Sequence, residues 1–368
     1  MPENYKDLFN ADSLRTFGED FQSVYPEFDI DAFVTSVMDD KWNNLELKGR
    51  WQQVTTVLGS YLPKDYAQAL GILDQVVENY SGWDGVYGMV FPYFVEFFGQ
   101  DKTNWDLSMS AMENYTKHAS AEFAVRPFIL AEEDRMMAQM YEWSKHENEH
   151  VRRLASEGCR PALPWAQALP SFKEDPTPVL PILERLKADP SAYVRKSVAN
   201  NLNDISKTRP DIVIELAKSW LGSNKEADWV VKHGCRTLLK QGNRETLALF
   251  GFHDGRSVTV SNFGPGDGKS MPTIAIGEDL PFSFTVQTDE ATKVRLEYGI
   301  DYVKANGKHS RKIFQISESS MRVGEVKNFN KVHSFANLST RKHYPGTHAL
   351  TLIINGAERD SFNFELSN

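Results

Sequence analysis

The spacing of apolar residues changes once along the chain, near residue 255, and this change limits the available folds. Up to about residue 250, apolar residues recur at every third and fourth position, as in "DIDAFVTSVM" and "PDIVIELAKSWL", which is the period of amphipathic helices. Further on they alternate, as in "PFSFTVQT" and "KVRLEYGIDYV", which is the period of half-buried strands. We therefore predict a mainly α protein with two domains, residues 1–254 and residues 255–368.

Three of the helical segments resemble one another. They read "NEHVRRLASEG", "SAYVRKSVANN" and "DWVVKHGCRTL", and they align on a shared valine at positions 151, 194 and 231. A spacing near 40 residues is typical of HEAT-like repeats, so we predict a HEAT-like helical repeat solenoid; an irregular helical bundle is the alternative. The register predicts a helix N-cap three residues before each valine, at Asn148, Ser191 and Asp228.

The second domain contains seven or eight strand-like runs in about 110 residues, which predicts a C-terminal all-β immunoglobulin-like sandwich. Cys159 and Cys235 are the only cysteines in the sequence, and both precede this domain. The inter-sheet disulfide of antibody domains is therefore excluded. Two cysteines form no disulfide framework, so we expect a cytoplasmic protein. No apolar run is long enough to span a membrane.

Charge is distributed unevenly along the chain, whose formal net charge is −9. Residues 1–150 hold 26 acidic and 11 basic side chains, whereas residues 151–250 hold 11 acidic and 16 basic ones. An anionic partner is therefore repelled by the first part and attracted to the second.

The string "HENEH", residues 146–150, matches the H-E-x-x-H pattern of zinc hydrolases. In those enzymes both histidines lie on one helix, one turn apart. The repeat register instead starts the helix after Asn148, which separates His146 from His150. We therefore expect no metal site here, and zinc hydrolysis stays an alternative that a metal assay would decide.

A helical projection of residues 149–159 gives an apolar stripe and a basic face. The basic face holds Arg152, Arg153, Ser156, Glu157 and Arg160, and we expect it to point outward. Basic residues recur at similar positions in the other repeats, so the cations are expected to form a continuous stripe that fits a DNA backbone. The alternative is an ordinary solvated surface, in which Arg153 pairs with Glu157.

Two further side chains have competing interpretations. Trp165 follows Pro161 and Pro164 in "CRPALPW", which hold it in a stiff connection. It is either a core residue between repeats or a rigid aromatic face for a cationic or unstacked base. Glu122 is either half of an i,i+4 pair with Arg126 or a second functional carboxylate.

The segments "AEFAVRPF" and "HENEHVRRLASEGCRPALPWA", on a helical repeat stack followed by a β-sandwich, resemble the bacterial alkylpurine DNA glycosylases of the AlkC type. The similarity spans almost the whole chain. It implies a monofunctional glycosylase that excises cationic N3-methylated bases, 3-methyladenine and 3-methylcytosine, from duplex DNA, and an immunoglobulin-like domain that helps to grip the DNA. Glycosylases of this family are thought to leave the base stacked, and the sequence leaves open whether it is flipped.

The resemblance and the charge pattern together give the expected site. The catalytic candidates are Glu157, Glu122 and Trp165. The DNA-binding candidates are Arg126, Arg152, Arg153, Arg160, Arg195, Lys196, Lys232 and Arg236 in the helical part, and Lys304, Lys308, Arg311 and Lys312 around "KANGKHSRK", a predicted hairpin of the sandwich. This hairpin is either a second DNA contact or only an exposed turn.

A base methylated at N3 is already cationic and leaves as a neutral molecule, so the transition state gains positive charge on the sugar. A carboxylate can stabilise that charge and orient or deprotonate the attacking water. We therefore expect a monomer that binds double-stranded DNA containing alkylated bases, with no cofactor, no metal and no membrane partner, in the cytoplasm and on the nucleoid when it acts. The rival expectation is a non-enzymatic HEAT-repeat scaffold that binds protein or DNA.

Overall fold

The computed structural model of the chain describes residues 5–79, 86–266, 271–338 and 342–368. In these ranges the helices are α1 (Ala11–Val24), α2 (Ile30–Val37), α3 (Leu47–Tyr61), α4 (Tyr66–Asn79), α5 (Val90–Phe98), α6 (Trp105–Tyr115), α7 (Arg126–Ala131), α8 (Glu133–Trp143), α9 (Glu149–Gly158), α10 (Pro170–Glu174), α11 (Leu180–Leu186), α12 (Ala192–Ile205), α13 (Pro210–Trp220), α14 (Lys225–Gly234), α15 (Arg236–Lys240) and α16 (Arg244–Leu249). Short 3₁₀ helices span Tyr5–Leu8, Trp42–Asn44, Lys102–Asn104 and Thr177–Val179.

The strands follow the last helix. They are β1 (Val258–Pro265), β2 (Thr273–Ala275), β3 (Asp279–Thr288), β4 (Thr292–Val303), β5 (His309–Met321), β6 (Val326–Ser334), β7 (Gly346–Ile354) and β8 (Ala357–Ser367). The predicted fold class, a helical repeat stack followed by a β-sandwich, is confirmed. Of these strands, the three-residue β2 was not predicted, because it is too short to show alternation.

The chain divides into two compact units. One comprises Met1–Val213 and Trp220–Gly234, and the other comprises Ile214–Ser219 and Cys235–Asn368. The change from helix to strand lies between α16 and β1, whereas the units divide before α15. The boundary at residue 254 stays a prediction.

In the helical unit, α9 packs against α8, α11 and α12, and α12 packs against α14. The valines that align the three repeats, Val151, Val194 and Val231, are all buried. Each buried valine side chain stabilises the stack by about 1.5 kcal/mol relative to an exposed one. The shared valine therefore marks the face by which each of these helices joins the stack.

The predicted repeat register is correct at the first two helix starts and wrong at the third. Asn148 and Ser191 are the N-caps of α9 and α12. Asp228 lies inside α14, which begins one turn earlier, and the Asn224 side chain accepts a hydrogen bond from the Ala227 N–H at 2.8 Å. Because the difference is about one helical turn, Val231 still faces the core.

The sandwich consists of two sheets. A three-stranded antiparallel sheet has the order β1-β3-β6, and a five-stranded sheet has the order β2-β8-β7-β4-β5, in which β2 runs parallel to β8. In β3 the side chains of Leu280, Phe282, Phe284 and Val286 alternate into the core, as expected for a strand with one buried face.

The described residues include no helix that is long and apolar enough to cross a membrane.

Gly158, the last residue of α9, tests the tightness of the helix packing. A Cβ at this position would lie 2.6 Å from Val125 Cγ2 and 2.9 Å from Met140 Cε. We predict that Gly158→Ala lowers the free energy of unfolding by about 1–3 kcal/mol, the usual cost of overpacking. Gly71, inside α4, has no such neighbour within 4 Å, so Gly71→Ala should raise the free energy of unfolding by about 0.5–1 kcal/mol. Chemical denaturation measures both, and equal effects would contradict the packing described.

Candidate functional site

Helix α9 carries the centre of the site, and its start is fixed by a cap. The Asn148 side chain accepts a hydrogen bond from the His150 N–H at 2.9 Å. His146 lies before the helix, and its Nδ1 accepts from the Asn148 N–H at 2.9 Å. The two histidines of "HENEH" therefore do not share a helix, as the repeat register predicted. Within the described ranges, no three metal-ligating side chains lie together.

An alternating network of charges runs outward from the C-terminal half of α9. The Arg153 guanidinium contacts the Glu122 carboxylate and lies 3.4 Å from Glu157 Oε1. Arg160 donates to Glu157 Oε1 at 2.6 Å and to Asp204 Oδ2 at 2.8 Å. These five side chains are at most 15% exposed, so each charge is stabilised mainly by its neighbours rather than by water.

The carboxylates keep both arginines charged. Burial lowers the pKa of Arg153, but the nearby charges of Glu122 and Glu157 outweigh it and hold the pKa above its ordinary value. The pKa of Arg160 is raised in the same way, because Glu157 and Asp204 outweigh its burial. Both guanidinium groups are therefore held in their charged form.

This arrangement corrects the expected outward basic face of α9. Ser156, Glu157 and Arg160 are buried because α12 packs on this side of the helix. Ser156 Oγ donates to Ser197 Oγ at 2.7 Å, and Asn201 Nδ2 donates to the Ser156 carbonyl at 2.8 Å.

Glu122 pairs with Arg153 rather than with Arg126, the i,i+4 partner that one of its two interpretations gave it. Ser120 Oγ also donates to Glu122 Oε2 at 2.7 Å. The Arg153 guanidinium lies 5.1 Å from the centre of the Tyr193 ring, a distance at which a cation is attracted to an aromatic face. Glu122 is thus held beside α9 by two donors.

Trp165 is the exposed element of the site. Its side chain is 74% exposed, which rules out the core position between repeats. Its φ is +65°, in the left-handed region that costs a non-glycine residue about 1 kcal/mol. The loop is nevertheless closed, because the Leu169 N–H donates to the Pro161 carbonyl at 3.2 Å.

Arg126 has a structural position, which corrects its expected contact with DNA. It is 1% exposed and donates to the carbonyls of Gly158, Arg160 and Gln167 at 2.8, 2.9 and 2.6 Å. Burial lowers its pKa to about 10. A guanidinium enclosed in this way cannot reach a phosphate, and it holds both ends of the Trp165 loop instead. Arg160, enclosed between two carboxylates, is likewise withdrawn from the DNA-binding set.

The first basic residue of the repeat closes the preceding loop. Arg152 donates to the carbonyls of residues 146 and 147, and Arg195 donates to those of residues 189 and 190, the same offsets of six and five. Arg152 also forms a bidentate pair with Asp189 at 2.7 and 3.0 Å. The recurring Val-Arg pair therefore has a structural role in both helices, and both arginines remain partly exposed as residues.

The remaining candidates lie nearer the surface. Lys196 and Lys232 are exposed, and Arg236 is half-buried at the start of α15. In the sandwich, Lys304 and Lys308 close the β4–β5 turn, and Lys312 is exposed on β5. Arg311 forms a bidentate pair with Asp301 at 2.8 and 2.7 Å, and hydrogen bonds to that carboxylate raise its pKa.

Comparison with known proteins adds to this geometry. A family described as "DNA alkylation repair enzyme" matches residues 100–238, and the C-terminal Ig-like domain of uncharacterised protein YhaZ matches residues 269–368. Uncharacterized protein YhaZ of Bacillus subtilis (strain 168) is 44% identical over 362 residues, which are 98% of this chain and 99% of the relative. The solved structure of Pseudomonas fluorescens alkylpurine DNA glycosylase AlkC, bound to DNA containing an abasic site analog, is 36% identical, covers 99% of both chains and superimposes with a TM-score of 0.93.

The chain belongs to the AlkC-type alkylpurine DNA glycosylase family. The family expected from the sequence is confirmed. Two residues that bind the arginines of the site, Asp204 and Ser120, were not predicted from the sequence. Asp204 lies 44 residues from Arg160, and Ser120 lies 33 residues from Arg153, so only the tertiary fold brings each pair together. Neither occupies a position that the repeat marks.

Glu96 was also missed, although the sequence carried a signal: it is the one charge in the apolar run "VFPYFVEFF" of α5. Burial raises the pKa of the Glu96 carboxyl to about 7, and the positive charge of Lys48 lowers this pKa by a smaller amount. Among the described residues, its Oε2 atom has no hydrogen-bond partner. The carboxyl therefore favours its protonated form at acidic pH.

The raised pKa of Glu96 predicts a pH-dependent stability. Between its ordinary value of 4.5 and about 7, the folded state binds the proton and the unfolded state releases it, so stability is lost as the pH rises through 7. At pH 4.5, Glu96→Gln should have the same free energy of unfolding as the wild type. At pH 8, its free energy of unfolding should be higher than that of the wild type by up to about 3 kcal/mol. Denaturant titrations at both pH values measure this difference; a gain that is the same at both would contradict the assignment.

Proposed function

We propose that the protein is a monofunctional DNA glycosylase that hydrolyses the N-glycosidic bond of cationic N3-methylated bases, 3-methyladenine and 3-methylcytosine, in duplex DNA. The observation that carries the proposal is the carboxylate pair Glu122 and Glu157, held by Arg153, in a chain that matches alkylpurine DNA glycosylase AlkC over 99% of its length. We further propose a monomer that acts on DNA in the bacterial cytoplasm, without a cofactor.

The reaction needs little acid catalysis. The bond between C1′ and the base nitrogen breaks, the cationic base leaves as a neutral molecule, and the positive charge passes to the sugar. A fixed carboxylate stabilises that charge without reorganisation, because its position is already set by the network. Water then adds to C1′ and loses a proton to a carboxylate of Glu122 or Glu157.

Trp165 supplies the second requirement, recognition of a cationic nucleotide. An exposed indole held on a closed loop presents a π face that attracts positive charge. In the proposed reaction, Trp165 faces the damaged nucleotide and the two glutamates stabilise the sugar.

The DNA backbone is bound, in this proposal, by cations that remain at the surface of the helical domain, residues 1–254. They are Arg152, Arg195, Lys196, Lys232 and Arg236. Arg153 is excluded from this set, as Arg160 is, because it is little exposed and paired with Glu122 and Glu157. The sandwich, residues 255–368, adds a second contact through the cluster of Lys304, Lys308, Arg311 and Lys312.

Base release tests the proposal directly. The protein is incubated with methylated duplex DNA, with and without a chelator, and the free bases are separated and identified. Release of 3-methyladenine and 3-methylcytosine in both conditions is expected. No release would favour the non-enzymatic scaffold, and release only without chelator would favour the zinc hydrolase.

Glu157→Gln should slow the single-turnover release of 3-methyladenine by about 10²-fold or more, because one fixed charge at the sugar is lost. The affinity for undamaged DNA should not change. Glu122→Gln, measured in parallel, shows which glutamate deprotonates the water. Glu174→Gln, at an exposed residue outside the network, is the control. Near-wild-type release by Glu157→Gln would remove this residue from the catalytic role.

Lys196→Ala should weaken binding to every duplex sequence and reduce the slope of log K against log salt by about 1, because one phosphate contact is lost. Lys41, an exposed lysine in the acidic first part of the chain, gives the matched control Lys41→Ala, which should leave the slope unchanged. Binding isotherms at several salt concentrations measure both slopes. Equal slopes for wild type and Lys196→Ala would exclude this contact.

A further inference from the structure

The conformation of Trp165 requires restraint from outside its own loop. An exposed tryptophan in the left-handed region has neither buried side-chain contacts nor a favourable backbone region to hold it there. Rotation of the neighbouring peptide groups would relieve the unfavourable φ and turn the Cα–Cβ bond, and with it the indole. Hydrogen bonds to the loop carbonyls oppose this rotation.

Two cations supply those hydrogen bonds. Arg126 holds the carbonyls of Gly158 and Arg160 before Trp165 and that of Gln167 after it. The carbonyl of Trp165 itself accepts from Lys48 Nζ at 2.8 Å. Lys48 is the second residue of α3 and lies 117 positions away in sequence.

The Lys48 side chain is itself held in place. Its Nζ lies 5.2 Å from the centre of the Phe123 ring, and Phe123 follows Glu122 in the chain. Lys48 is half-buried, and its positive charge lowers the pKa of the nearby Glu96 carboxyl. The ammonium group therefore connects the Trp165 loop to the segment that carries Glu122.

We propose that Lys48 is a positioning residue for Trp165. Its hydrogen bond fixes the peptide group that follows Trp165, and this sets the direction in which the indole is displayed relative to Glu122. The effect on catalysis rests on the proposed function, whereas the effect on the loop does not. The inference also gives the acidic N-terminal part of the chain a role: α3 reaches the site and restrains it.

The test compares Lys48→Met with Lys48→Arg, which can restore the hydrogen bond, and with Lys64→Met. Lys64 also donates to a backbone carbonyl, that of Gly59 at 3.5 Å, but outside the site. Hydrogen exchange of a peptide covering residues 160–169 reports on the loop. Single-turnover base release and DNA affinity report on function, and Lys48→Met is repeated in a Trp165→Ala background.

Lys48→Met should accelerate exchange in the loop peptide and slow base release about tenfold, because a small misplacement of a catalytic group lowers the rate strongly. DNA affinity should change less than the rate. Lys48→Arg should restore both properties, and Lys64→Met should alter neither. In the Trp165→Ala background, Lys48→Met should slow release no further.

Unchanged exchange in Lys48→Met would overturn the proposal. It would also be overturned if Lys48→Met slowed the Trp165→Ala variant by the same factor as the wild type, because Lys48 would then act independently of the indole. If the wild type released no base at all, the proposed glycosylase activity would fail, and the exchange measurement would still decide whether Lys48 holds the loop.

Discussion

The salt bridge between Arg153 and the carboxylates of Glu122 and Glu157 is the interaction on which the site depends. A buried carboxylate without a partner costs several kcal/mol, typically about 3–5 when one member of a pair is removed. Arg153 therefore permits two negative charges to lie side by side at the edge of α9. Arg160 extends the same pattern to Asp204 on α12. The network thus joins neighbouring helices and holds the carboxylates in fixed positions. In the proposed reaction, these carboxylates stabilise the oxocarbenium ion.

The fold was predictable because the local spacing of apolar residues and the longer repeat of the chain indicated the same architecture. The period of apolar residues separated helices from strands, and buried valines in register marked the repeat. The third helix start was wrong because Asp228 and Asn224 are both good capping residues, one turn apart, and the sequence alone does not choose between them. Strand β2 was missed because its pairing with β8, more than 90 residues away, defines it.

The site was predictable only in part. Glu157 and Trp165 stood out locally, as a carboxylate among arginines and a tryptophan between prolines. Arg126 was misjudged because it repeats the Val-Arg pattern, yet it begins α7 and points inward to three carbonyls. Asp204 and Lys48 lie 44 and 117 residues from their partners, so no local pattern reveals them. Charge in a sequence predicts a binding surface only when burial is known. Here Arg126 and Arg160, expected at the surface, are buried and bind groups inside the protein.

A crystal structure of this protein with duplex DNA that contains an abasic site analogue tests the central claim most directly. The account predicts that the abasic sugar lies at the C-terminal half of α9, with a carboxylate oxygen of Glu122 or Glu157 facing C1′ and the Trp165 indole against the damaged nucleotide. DNA bound with the abasic sugar away from these three side chains would contradict it.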